Sequence, residues 1–304
     1  MPIKTLDTQI PDESVHTPVM VQEVLYYLSP AQGERYLDLT GGYGGHAAAV
    51  IQQAKSLAEV TLVDRDATAV GALKQAFGST GAQILHSDFF SASQKLVSEG
   101  KRYDMILADL GVSSQHLTEA GRGFSFRRAG PLDMRMDIRQ QATAADVIND
   151  AGQPELERIL AVYGEEPRAK TIAAAIIANR PIASTEHLAE IVEQTVRPRF
   201  GGKRIHPATK TFQAIRIAVN DELEQIKSSL PLWCELLAPR GRLVVISFHS
   251  LEDRLVKQFF KENAGERYDA GLTLLTKKPV HAAANEIVSN PRARSAKLRA
   301  VAAK

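Results

Sequence analysis

The chain has only one cysteine, Cys234, among its 304 residues. That excludes an intramolecular disulfide and a cysteine-rich zinc site, and it suits a reducing cytoplasm. No run of about 18 apolar residues is present, so no membrane span is expected. The first stretch, Met1 to Ser14, is polar, carries Pro2 and Pro11, and lacks the apolar core of a secretory signal. Excess charge of one sign is also missing, since 37 basic against 35 acidic residues give a formal net charge of +2. Any contact with nucleic acid must therefore come from local patches. Internal repeats and low-complexity segments are absent. At 44% hydrophobic and 24% charged residues, the composition is that of a soluble globular protein with one large or two modest domains.

The most informative stretch is Tyr36-Leu-Asp-Leu-Thr-Gly-Gly-Tyr-Gly-Gly-His46. A short apolar run breaks into a turn holding Gly41, Gly42, Gly44 and Gly45, and a helical pattern follows from Ala47 to Ala54. Strand, glycine turn and helix open a nucleotide-binding βαβ unit, in which glycines let the backbone approach a ligand closely. Three more apolar runs end in acids, at Asp64, Asp88 and Asp109. Ligands of open α/β sheets lie beyond the carboxyl ends of the strands, so Asp38, Asp64, Asp88 and Asp109 are expected to ring one crevice. Asp64 stands about 20 residues past the glycine turn, where an acid binds ribose hydroxyls. Four carboxylates suit the sulfonium, ammonium and ribose diol of S-adenosylmethionine better than a dinucleotide. A methyltransferase is thus favoured over a nicotinamide-dependent oxidoreductase, with a non-catalytic RNA-binding assembly factor as a further alternative.

After Asp109 the alternation of strand and helix gives way to a long aperiodic loop, Gly121-Arg-Gly-Phe-Ser-Phe-Arg-Arg-Ala-Gly-Pro, and then to helical patterns alone. These begin near Thr143, at Glu155, at Pro167 and at Ser184 or Thr185. The division expected is an α/β domain of residues 1–116 and 217–304, interrupted by an all-helical domain of residues 117–216 suited to substrate recognition. The α/β pattern resumes with a strand from Arg242 to Phe248 and a late, edge-like strand at Leu272. The tail from Ser289 reads as a basic segment.

The loop after Asp109 carries the chemistry. An exocyclic base amine is a poor nucleophile because its lone pair is delocalised into the ring. Hydrogen bonds from the amine to the Asp109 carboxylate and the Leu110 carbonyl favour a tetrahedral nitrogen placed for in-line attack. The loop has no aromatic, so a stacking platform must come from Phe248, Phe124 or Phe126. Cys234, within an apolar helical segment, reads as a core residue. His46, His116 and His249 fall in loops without metal-ligand spacing, so no metal site is expected. Three basic segments are candidates to track RNA phosphates. They are Arg122, Arg127 and Arg128 with Arg135; Arg197, Arg199, Lys203 and Arg204 with His206; and the tail with Arg292 and Arg294.

Several segments together resemble the bacterial 16S ribosomal RNA (cytosine-N4)-methyltransferases. They include His16-Thr-Pro-Val-Met, Gly44-Gly-His, Asp109-Leu-Gly-Val-Ser-Ser, Gly123-Phe-Ser-Phe-Arg, Pro131-Leu-Asp-Met-Arg-Met-Asp, Val219-Asn-Asp-Glu-Leu, Ile246-Ser-Phe-His-Ser-Leu-Glu-Asp-Arg and Asn290-Pro-Arg-Ala-Arg-Ser. The resemblance implies a class I, Rossmann-like methyltransferase fold with a helical insertion and S-adenosylmethionine as cofactor. The implied partner is 16S rRNA within the small ribosomal subunit, methylated on a cytosine of the decoding region. The family's cofactor contacts fall on Gly44, Gly45, His46, Asp64, Phe89 and Asp109. A further contact, usually glutamine, falls on His116 with Gln115 adjacent. Leu39 stands where the family commonly has glycine.

Overall fold

Alternate residues of the central strands face opposite ways, and that period of two builds the α/β part. Tyr36, Met105, Leu107, Val244 and Ile246 pack into one apolar cluster. Their neighbours Leu37, Ile106, Ala108, Leu243 and Val245 pack into another. The computed structural model describes residues 3–4, 17–196, 206–265 and 270–304. The strands are β1 (Ile3–Lys4), β2 (Arg35–Asp38), β3 (Ser56–Leu57), β4 (Glu59–Asp64), β5 (Gln83–His86), β6 (Tyr103–Asp109), β7 (Leu237–Ser247), β8 (Leu272–Leu274) and β9 (Lys297–Ala303). A seven-stranded sheet runs β5-β4-β2-β6-β7-β9-β8, and β1 pairs with β3. Pairing from β5 through β7 is parallel, whereas β9 lies antiparallel to both β7 and β8. This is the α/β, Rossmann-like sheet expected, with its order reversing at β2, where the glycine turn leaves the sheet.

Two compact units divide the chain, Met1–Gly111 with Leu223–Lys304, and Val112–Glu222. The second unit is built from the helices Ala144–Asp150, Gln153–Gly164, Ala169–Ala178, Thr185–Val196 and Ala208–Asn220 around one apolar cluster. Thr143 opens the first of these with a capping box to Asp146, and the Ser184 hydroxyl accepts from the His187 amide at 3.2 Å. Gly164 lets two helices touch, because a Cβ there would lie 2.8 Å from the Lys210 carbonyl oxygen. Asn220, fully buried, accepts from the Met136 amide at 2.8 Å and donates to the Met134 carbonyl at 2.8 Å. That pair explains the Val219-Asn-Asp and Pro131-Leu-Asp-Met-Arg-Met segments as structural anchors.

The structure differs from the sequence-based expectation in several places, among them the boundary placed between residues 116 and 117, which cuts the helix Ser114–Thr118 and moves to Gly111–Val112. Ala208–Asn220 is one unbroken helix, so the boundary placed between residues 216 and 217 would cut a helix and moves to its end. The strand ending at Asp88 stops at His86, and Asp88 caps the next helix, accepting from the Ser91 amide and hydroxyl at 2.8 Å each. The basic tail runs through a 3-10 turn, Pro291–Ser295, into the strand β9, where Arg299 pairs with Asp253 at 2.6 Å and Lys297 lies 3.9 Å from the same carboxylate.

Candidate active site

The carboxyl ends of β2, β4 and β6 bring three acids together through the glycine turn. Asp38 is buried and accepts from the Tyr36 hydroxyl at 2.9 Å and the Thr40 amide at 3.1 Å. Thr40 links two strand ends, since its hydroxyl oxygen accepts from the Asp109 amide at 2.6 Å. Asp64 pins the turn by accepting from the Gly42 amide at 2.8 Å and from the Asp66 amide at 2.8 Å. Gly44 has φ +83°, and a Cβ there would lie 2.4 Å from the Phe77 ring; a Cβ on Gly45 would lie 2.9 Å from Pro18 Cγ. Close packing therefore requires both glycines. The helix Gly45–Ala54 starts immediately after, with its amide ends at the crevice.

His46 is 7% exposed, and neither ring nitrogen has a hydrogen-bond partner among the described residues. Its Nε2 stands 3.6 Å from Asp109 Oδ2. Asp109 Oδ1 is likewise buried and without a hydrogen-bond partner among the described residues. Buried polar atoms left open cost free energy, so their clustering marks a place where a ligand supplies the missing partners. Burial pushes the Asp38 carboxyl up to about 6, opposed by the His46 ring, the Thr40 amide and the Tyr36 hydroxyl.

Phe248 follows β7, half-buried beside Gly111, whose φ is +90° and whose missing Cβ would lie 3.3 Å from the Phe248 ring. Glu252, fully buried, accepts from the Phe248 amide at 2.7 Å and the His249 amide at 3.2 Å, which holds the Phe248 backbone in place. Leu110 is buried and its amide donates to the Ile246 carbonyl at 2.9 Å. Phe89 starts the helix after β5 and meets Trp233 edge to face at 5.6 Å. The short 3-10 turn Pro291–Ser295 leads into β9. Burial lowers the Arg292 guanidinium below its ordinary value while the Asp109 carboxylate opposes the shift. Arg292 thus sits near a site acid, and Arg294 is exposed. The Asn290 amide group donates to the Thr17 carbonyl at 3.1 Å and Glu286 accepts from the Met20 amide at 2.6 Å. These bonds fix the segment that carries Pro18 against Gly45.

The family profile of the MraW methylases matches residues 13–304. The chain belongs to the MraW methylase family. It is an enzyme that transfers methyl groups from S-adenosylmethionine, which ends the oxidoreductase and non-catalytic alternatives. It is 46% identical over 286 residues to "Ribosomal RNA small subunit methyltransferase H" of Nostoc sp. (strain PCC 7120), covering 93% of this chain and 91% of that protein. The protein of the same name from Koribacter versatilis is 44% identical over 300 residues, covering 95% and 94%. Among solved structures, TrmN from Thermus thermophilus aligns with a TM-score of 0.44 and 12% identity, over 94% of this chain and 48% of that one. No helix among the described residues is long and apolar enough to cross a membrane.

The residues fit the cofactor. Asp38, Asp64 and Asp109 offer negative charge to a sulfonium and an ammonium, the glycine turn admits close approach, and His46 and Asp109 hold unpartnered polar atoms. Asp88 lies two residues beyond the end of β5, where it caps the next helix. Sequence reasoning missed Thr40 and Glu252, and it named Arg292 only as a candidate for RNA phosphates. Only Glu252 had a signal, the capping-box spacing from His249. His116 lies in the other unit, where it forms a capping box with Ser113 and stacks on Phe124 at 4.8 Å. Arg135 spends its guanidinium on Asp133 at 2.8 Å and on the Ile138 and Gln140 carbonyls. His16, Arg197, Arg199, Lys203 and Arg204 lie outside the described residues.

Asp38 is expected to give cofactor affinity a pH dependence. Below about 6 its carboxyl carries a proton, one negative charge leaves the crevice, and binding of the cationic donor weakens. For folding the sign is opposite: a carboxyl whose pKa is raised above its unfolded value of ~3.9 favours the fold at low pH, and that contribution is lost as the pH rises through about 6. Calorimetry across this range should show affinity rising with pH, and Asp38→Asn should flatten the rise. An unchanged pH profile in Asp38→Asn would assign the titration elsewhere.

Proposed function

We propose that this enzyme methylates the exocyclic N4 amine of a cytosine in the decoding region of 16S rRNA. The observation that carries this reading is the Asp109 carboxylate, held in place by Thr40 at its amide, with Oδ1 buried and without a partner among the described residues. A carboxylate acceptor suits an amine that must shed a proton. The cofactor, when bound, supplies an electrophilic methyl group. Asp109 and the Leu110 carbonyl accept hydrogen bonds from the amine and turn its lone pair out of the ring plane. As the new N–C bond forms and the C–S bond breaks, the surplus amine proton passes to the Asp109 carboxylate. Phe248, fixed by Glu252, stacks the base.

Carbon-5 methylation would need a thiolate attached to the base. Burial pushes the Cys234 thiol up to about 12, and the residue lies in a helix facing the apolar cluster behind the sheet. The relatives' shared name supports ribosomal RNA of the small subunit as substrate. The helical unit, with Arg127 and Arg128 exposed, serves substrate recognition, and the enzyme works in the cytoplasm.

The test is mass-spectrometric mapping of methylated nucleosides in small-subunit RNA with and without this protein. N4-methylcytidine that appears only with the protein is the expected outcome. A 5-methylcytidine product, or methylation confined to another base, would refute the assignment.

A further inference from the structure

The helical unit holds a cavity of about 490 Å³ that the methyl-transfer chemistry does not use. Its walls include Leu117, Phe124, Phe126 and Thr209, with Arg127 and Arg128 among its lining residues. That volume lies in the range of small-ligand sites. The rings are braced from behind. Phe126 stacks on His206 at 4.4 Å and meets Phe212 edge to face at 5.2 Å. Phe124 stacks on His116 at 4.8 Å. Leu117 is a large apolar residue left open at the surface. Both arginines are exposed, and Arg128 is steadied by donating to the Thr118 carbonyl at 2.8 Å. Among the described residues, no acid lines the cavity.

We propose that this cavity receives an unpaired nucleobase of the RNA substrate other than the one methylated, with Arg127 and Arg128 taking the adjoining phosphates. The inference rests on the reading of RNA as substrate. Aromatic walls with cations and no acid match a flat, uncharged ring carried on an anionic backbone. The reacting cytosine is a poor occupant, because the cavity has no carboxylate to accept its amine. A second base held here ties recognition to the sequence or shape next to the target.

Thr209→Trp, which fills the cavity without removing a braced ring, is the first variant, and Arg127→Gln, on the surface, is the second. Both are measured in the full-length enzyme on unmethylated small ribosomal subunits and on a protein-free RNA fragment of the decoding region. Thr209→Trp should raise KM for RNA roughly 5- to 150-fold, the range of one lost base stack, with kcat and cofactor affinity held. Arg127→Gln should reduce the slope of log affinity against log salt by about 0.7, the share of one single-strand phosphate. If Thr209→Trp does not fold, Arg127→Gln alone decides, because its site is exposed. Wild-type methylation of RNA with both KM and salt slope unchanged in the variants overturns the cavity assignment and leaves the function standing. No RNA methylation by the wild type removes both. A Thr209→Trp effect on whole subunits without any on protein-free RNA places a ribosomal protein in the cavity and also overturns the proposal.

Discussion

Asp109→Ala is expected to halt methyl transfer even with cofactor and RNA saturating. Two features make this variant informative. The Thr40 hydroxyl grips the Asp109 backbone amide, and the next amide, that of Leu110, donates to Ile246 in β7. Neither bond involves the Asp109 side chain, so the strand end should stay in place when the carboxylate is removed. On the proposed mechanism, what disappears is the acceptor that orients the amine and takes its proton. Positioned proton transfer contributes ~10²–10⁴-fold, and the loss of orientation adds to that, so kcat should fall by at least about a thousandfold. Asp109→Asn keeps one acceptor oxygen but no base, and it should retain amine orientation with slow turnover. Cys234→Ser is the matched control. The thiol takes no part in nitrogen attack, so activity should persist with a modest stability loss from a hydroxyl in an apolar setting. Single-turnover rates at saturating cofactor measure all three. Activity in Asp109→Ala within tenfold of wild type, or a folded but inactive Cys234→Ser, would end the nitrogen mechanism.

The strand ends were legible in the sequence because, in an α/β pattern, an apolar run closing on an acid marks a buried strand as it meets solvent at the carboxyl edge of the sheet. Asp38, Asp64 and Asp109 do end β2, β4 and β6. Asp88 misled for a physical reason, since an acid two residues beyond a strand and just before a helix is also the best available cap. β9 was hidden because its apolar residues are interrupted by Lys297 and Arg299. These pair with Asp253 on a neighbouring helix, a long-range partner that no local pattern shows. The domain boundary slipped because the helix Ala208–Asn220 has one continuous amphipathic pattern and the chain turns only at Asp221, with φ +51°. Thr40 could not be found from sequence, because its role arises only when β2 and β6 lie side by side in the sheet. The glycine turn was readable as flexible backbone. Phe77 and Pro18, the side chains that demand Gly44 and Gly45, lie 33 and 27 residues away.

Asp64→Ala is expected to weaken cofactor binding roughly 10- to 150-fold, the equivalent of one charge-assisted hydrogen bond of ~1.5–3 kcal/mol to a ribose hydroxyl. The structure adds a second cost. Asp64 also accepts from the Gly42 and Asp66 amides, so alanine frees the glycine turn as well as the ribose. Asp64→Asn separates the two effects. Its single carbonyl oxygen can still meet one of the amides, so the turn should be better held than in alanine, while the charge that strengthens the ribose bond is gone. Calorimetry should therefore rank affinity as wild type, then asparagine, then alanine. Once cofactor is saturating, kcat should recover in Asp64→Asn, because the carboxylate lies at the end of β4 and the reacting amine is served from the end of β6. A melting scan gives the control, with the larger fall expected in alanine. Equal affinity in all three proteins would make Asp64 a turn anchor with no part in holding the cofactor. A kcat that stays low in Asp64→Asn at saturating cofactor would instead tie Asp64 to the chemical step.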